Sequence, residues 1–108
     1  MKHNLKNKKC IPCEGGAQAL SNEEAKNYLV ELDQGWSIDN KKIRRDLRFK
    51  DFKEAIKFVN KVAKLAEKEG HHPDLHIFYN KVRIDLWTHA VSGLTENDFI
   101  LAAKIDLI

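Results

Sequence analysis

The chain has 108 residues, room for one domain rather than two, and its 43% hydrophobic and 32% charged residues, with two prolines and five glycines, exclude a disordered or collagen-like chain. The formal charge of +3 belongs to the N-terminus: Lys2, Lys6, Lys8 and Lys9 stand in residues 1–13 without an acid, leaving 15 bases against 16 acids, so no nucleic-acid face is expected. No apolar run approaches the roughly 18 residues of a membrane span, and the polar stretch Asn4 to Lys9 replaces the apolar core of a signal peptide, so the chain reads as cytoplasmic with no membrane partner.

Residues 1–19 are expected to be a basic, poorly ordered extension, and residues 20–108 the single domain. The extension carries Cys10-Ile-Pro-Cys13, which is too short for a disulfide framework and is half of a zinc site, even with His3 nearby. No metal is expected there. Ser21 and Glu24 form a capping-box pattern, so a helix is expected through Ala25, Tyr28, Leu29 and Leu32, stopped by Gly35. A short strand from Trp36 to Ile38 turns at Asp39-Asn40 into a second from Lys41 to Phe49, with Ile43, Arg45, Leu47 and Phe49 on one side and Arg44, Asp46 and Arg48 on the other. From Asp51, apolar residues Phe52, Ala55, Ile56, Val59, Val62 and Ala66 recur at helical spacing until Gly70. His76 to Trp87 alternates again, and a turn near Asn80-Lys81 splits it into two strands. Thr95 with Asp98 caps a last helix carrying Phe99, Leu101, Ala102 and Ile105. The order αββαββα, with strands in adjacent pairs, predicts an α+β two-layer sandwich with helices on one face of an antiparallel sheet.

His71, His72, His76 and His89 place four of the five histidines within 19 residues. Gly70 allows a sharp exit from its helix and Pro73 extends the backbone at His72, so a restrained turn presents His71 and His72. Glu67 stands one helical turn earlier, within reach of either ring. Alternation puts His89 at the end of the fourth strand, sharing a face with Arg83, Asp85 and Trp87. Imidazoles donate and accept protons near neutrality. With no phosphate loop, zincin pair or nucleophile elbow in the chain, the chemistry left is acid–base elimination or addition. A zinc hydrolase using His71, His72 and His89 is the weaker enzyme reading. His76 reads as a strand or rim residue.

Glu67-Lys-Glu-Gly-His71-His72-Pro73, followed by Tyr79-Asn80-Lys81-Val82, Thr88-His89 and Gly93-Leu94-Thr95-Glu96-Asn97-Asp98-Phe99, resembles the signature of the pterin-4a-carbinolamine dehydratases. The resemblance spans roughly residues 36–106. It implies a four-stranded α+β fold, association as a homodimer or homotetramer, and dehydration of a 4a-hydroxytetrahydropterin to the quinonoid dihydropterin in tetrahydrobiopterin recycling. An aromatic amino acid hydroxylase is the implied supplier, and no cofactor is implied. The residues carried over are His71, His72 and His89 as catalytic groups, with His72 preferred as proton donor. Glu67 and Asp98 are carried over as supports, and Pro73, Thr88, Ala90 and Val91 border the substrate beside the histidines. After Pro73 the chain reads Asp74-Leu75-His76 where the family commonly has an acid, a Trp and a Phe, so Phe78 or Trp87 is left to supply an aromatic wall. Animal members also serve as dimerisation cofactors for a homeodomain transcription factor, which gives the competing reading of a non-catalytic interaction module.

Overall fold

A computed structural model describes residues 3–11 and 18–108; Cys13 and the Glu14-Gly15-Gly16 run lie outside the described residues. Three helices, α1 (Asn22–Leu29), α2 (Phe52–Glu69) and α3 (Glu96–Ile105), accompany four strands, β1 (Trp36–Asp39), β2 (Lys42–Arg48), β3 (Asp74–Phe78) and β4 (Lys81–Leu86). The strands pair antiparallel in the order β1-β2-β4-β3, the expected α+β sandwich.

Local chemistry sets most boundaries. Ser21 caps α1 by accepting from the Glu24 amide while Glu24 accepts from the Ser21 amide, and Thr95 and Asp98 repeat the box on α3. Asp51 caps α2, and Gly70 ends it at φ 68°, the left-handed conformation in which an L side chain costs about 1–2 kcal/mol. The hairpin turns fall at Asn40 and Tyr79, both with positive φ. α1 is shorter than expected: Leu29 is its last helical residue, and Leu32 packs on the core from the turn that follows. At Gly35, in that turn, a Cβ would stand 2.8 Å from Arg45 Nε, so a larger residue would require the Arg45 side chain to shift. Arg45 in turn pairs with Asp106, which also accepts from Trp36 Nε1 at 2.7 Å, tying the sheet to the end of α3.

The core joins Ile43, Val82, Ile84 and Leu86 of the sheet to Ala55 and Val62 of α2 and to Phe99, Leu101, Ala102 and Ile105 of α3. α3 is buried almost all round, since Ile100 is covered as well. Such a helix needs cover on two sides. Part of that cover is the N-terminal segment, and the expectation of a poorly ordered lead-in is corrected for residues 3–11. Leu5, in a 3-10 turn at Leu5–Asn7, is 4% exposed within the core cluster. The His3 ring pairs with Glu31 and stacks on Tyr28 at 4.0 Å, and Lys8 Nζ lies 2.8 Å from Glu96. Further on, the Cys10 amide donates to Glu69 at 3.0 Å, and Ile11 exchanges two hydrogen bonds with the Asn97 side chain. Lys8, one of the lysines of the basic tail, and His3 thus meet acids of the folded body.

Candidate active site

Two turns carry the histidines. The first leaves α2 through Gly70, and the second follows β4. Asp98, in the first turn of α3, joins them.

His71 is 6% exposed, and its Nε2–H donates to Asp98 Oδ1 at 2.6 Å. Asp98 is 0% exposed, and its other oxygen accepts from Thr88 Oγ1 and from the Thr95 amide, both at 2.9 Å. Thr88 has a single hydroxyl proton and gives it to Asp98, so the 2.8 Å contact between the two threonine hydroxyls is donated by Thr95. One buried carboxyl therefore caps α3, anchors the His71 ring and holds Thr88, the residue before His89. Asp98 was expected as a support for the histidines; the hydroxyls of Thr88 and Thr95 were not singled out. Their signal was the Thr95–Asp98 capping pattern, which required the carboxyl to face back toward Thr95.

His72 points the other way. Its side chain is 61% exposed, and Nε2 lies 2.5 Å from Glu67 Oε2, one of the contacts that the helical spacing allowed. Pro73 follows, and β3 begins at Asp74.

His89 does not close a strand, which corrects the alternation argument. β4 ends at Leu86, and His89–Val91 form a 3-10 turn clasped by the Thr88↔Gly93 bridge, with Ser92 at φ 50°. The physical reason is the buried Thr88 hydroxyl, which draws the chain toward α3 and away from the ladder. His89 is exposed, and its ring stacks on Trp87 with centroids 3.8 Å apart. Ala90 and Val91 complete this turn, beside Thr88. The structure thus brings His71 to Asp98, His72 to Glu67 and His89 to Trp87. His76 is on β3, with Nε2 3.4 Å from Asp85.

Asp85 lies on the sheet face away from the core. Its side chain is nearly buried, with Arg44 Nε 2.7 Å from Oδ1 and Arg44 Nη2 3.3 Å from Oδ2. Burial is the largest single influence and would raise its carboxyl, but the hydrogen bonds from Arg44 together with the charges of Arg44 and Lys42 more than offset it and hold the group below the usual carboxylate range. Below the ordinary pKa of about 3.9 the unfolded chain therefore binds the proton first. The stabilisation is complete above that pH and is lost as pH falls through the lower folded value. Asp85→Asn should accordingly flatten the acid limb of stability against pH below about pH 4, measured by urea unfolding.

Two cavities do not contain these histidines. One of about 760 Å³ is lined by Leu5, Val30, Glu31, Asp33, Asp106 and Leu107 among others, and one of about 360 Å³ lies at β2, β3 and β4 beside Phe78.

The family model for pterin 4 alpha carbinolamine dehydratase matches residues 18–108. A relative from Alkaliphilus metalliredigens is 48% identical over 105 residues, covering 96% of this chain and 95% of its own length, and one from Nitrosomonas eutropha is 47% identical over 104 residues, covering 96% and 92%. One from Legionella pneumophila is 48% identical over 108 residues, covering 98% and 96%. All three are provisionally named pterin-4-alpha-carbinolamine dehydratase. A crystal structure from Brucella melitensis, described as a transcriptional coactivator/pterin dehydratase, superposes with a TM-score of 0.78 at 38% identity, covering 83% of this chain and 97% of that one.

Proposed function

The chain belongs to the pterin 4 alpha carbinolamine dehydratase family, and on that footing we propose that it converts a 4a-hydroxytetrahydropterin to the quinonoid dihydropterin by histidine acid–base catalysis. The observation that carries the reading is the buried Asp98 carboxyl, which reaches His71 on one oxygen and Thr88, next to His89, on the other. A purely structural cap needs only the contact to Thr95.

The reaction breaks the C4a–O bond, forms the C4a=N5 double bond and releases one water. One group must protonate the departing hydroxyl and another must take the N5 proton, so the exchange is neutral overall. His72, exposed and backed by Glu67, is the proposed donor. His71 gives its Nε2–H to Asp98, which leaves Nδ1 as the acceptor and fixes the tautomer of the ring. His89 shares the base or orienting role from the opposite turn. Pro73, Thr88, Ala90 and Val91 border the substrate in this proposal, and proton exchange with water resets the imidazoles after each turnover. The proposed setting is tetrahydrobiopterin recycling in the cytoplasm, with an aromatic amino acid hydroxylase supplying the carbinolamine and the protein acting as a homodimer or homotetramer.

A second reading, a non-catalytic association module, draws on the description of the Brucella protein as a coactivator and on exposed Ile77, Phe78 and Tyr79 at the end of edge strand β3. One assay separates the two: following the decay of enzymatically generated 4a-hydroxytetrahydropterin. Acceleration in proportion to added protein supports the enzyme, and decay at the buffer rate removes it.

A further inference from the structure

We infer that Asp74 and Trp87 form a clamp that positions the His89 imidazole, an inference that rests on His89 taking part in the proton transfers proposed above.

His89 sits in an exposed turn beyond the end of β4, and among the described residues no hydrogen bond holds its ring. An imidazole so placed would sample several rotamers. What defines it is the Trp87 indole, stacked on it with ring centroids 3.8 Å apart and planes 29° apart. A stack orients its partner only if it is itself fixed, and the sheet fixes this one. Asp74 pairs with Asp85, so Trp87, two residues further along, is the diagonal neighbour of Asp74 on the same face. Trp87 Nε1–H donates to Asp74 Oδ2 at 3.1 Å. From the other side, where the β2–β4 ladder ends at Ile43 and Leu86, Lys42 places its ammonium 5.7 Å from the indole centroid. The indole is therefore held between β3 and β2, with His89 against it.

The placement of Asp74 gives the clamp its use. It immediately follows Pro73, so the segment that carries His71 and His72 also holds the group that orients His89. Asp98 joins the two turns through His71 and Thr88; Asp74 and Trp87 join them again through Pro73 and His89. Proton transfer depends on this placement, because a displacement of about 1 Å costs about 100-fold in rate. Trp87 and Asp74 are positioning residues here, acting through His89.

The test uses the full chain, steady-state dehydratase assays and NMR of the His89 ring protons, which the indole shifts by its ring current. Trp87→Ala and Asp74→Ala should each lower kcat about 10-fold to 100-fold with KM changed less than about twofold. Asp74→Asn, which keeps an acceptor oxygen, should restore most of kcat. The double variant Asp74→Ala with Trp87→Ala should be no worse than Trp87→Ala alone, because the two act in series. In Asp74→Ala the His89 signals should lose much of their ring-current shift while thermal unfolding stays cooperative. A raised KM at unchanged kcat in Trp87→Ala would overturn the clamp in favour of direct stacking on substrate. An unaltered His89 shift in Asp74→Ala would overturn it whatever the activity. A wild type that does not accelerate dehydration would overturn the proposed reaction, and with it the catalytic use of the clamp. Because the shift is read without turnover, failure of the clamp and failure of the reaction remain distinguishable.

Discussion

Asp98→Ala is expected to destabilise the fold by about 3–5 kcal/mol, measured by urea unfolding. The carboxyl is fully buried and accepts from His71, Thr88 and the Thr95 amide, so its removal strands three donors in a site that water does not reach. It also removes half of the capping box on α3, the helix that supplies Phe99, Leu101, Ala102 and Ile105 to the core. Against a typical total stability of about 5–15 kcal/mol, such a loss leaves the domain marginal. Asp98→Asn separates stability from chemistry. The amide fills the same space but offers one oxygen where two now accept. Turning its NH2 toward His71 would force Nε2 to become the acceptor and move the ring proton to Nδ1, the position proposed to take the substrate proton. Asp98→Asn is therefore expected to lose most of kcat while remaining folded, with circular dichroism and steady-state assays as the paired readouts.

The second large effect is expected at His72, and it should be almost purely catalytic. The ring is mostly exposed and its hydrogen-bond partner, Glu67, is more exposed still, so His72→Ala should change stability by no more than about 0.5 kcal/mol. Positioned proton donors contribute about 100-fold to 10,000-fold to rate, and kcat should fall within that range. Glu67→Gln keeps a hydrogen-bonding oxygen beside the ring and should cost much less. A loss in His72→Ala as small as that in Glu67→Gln would move the donor role to another imidazole.

These two sites also show where sequence reasoning succeeds. Glu67 and His72 lie five residues apart across a helix end, and Thr95 and Asp98 three apart at a helix start, so local geometry makes both contacts readable. α2 was readable because its apolar residues keep one period for 18 residues. The strand pairs were readable from alternation broken by turns expected at Asp39-Asn40 and near Asn80-Lys81, the second of which falls slightly earlier, at Tyr79-Asn80, with β4 already begun at Lys81. Alternation failed at His89 because it assumes that the ladder continues, whereas Thr88 leaves it to reach a carboxyl ten residues away in sequence. The docking of residues 3–11 was not readable for a related reason: the partners Glu31, Glu69, Glu96 and Asn97 stand 28 to 88 residues away. One clue was present. Phe99 to Ala103 is apolar at five successive positions, too many for a helix covered on one side only.

In the proposed reaction the two histidine turns form one dehydration site. Its most direct measurement is the rate at which 4a-hydroxytetrahydropterin, generated by an aromatic amino acid hydroxylase, disappears as wild-type protein is added. The rate is expected to rise in proportion to protein concentration and to fall by about 100-fold or more when His72→Ala replaces the wild type. Decay at the buffer rate with the folded wild-type protein would contradict it.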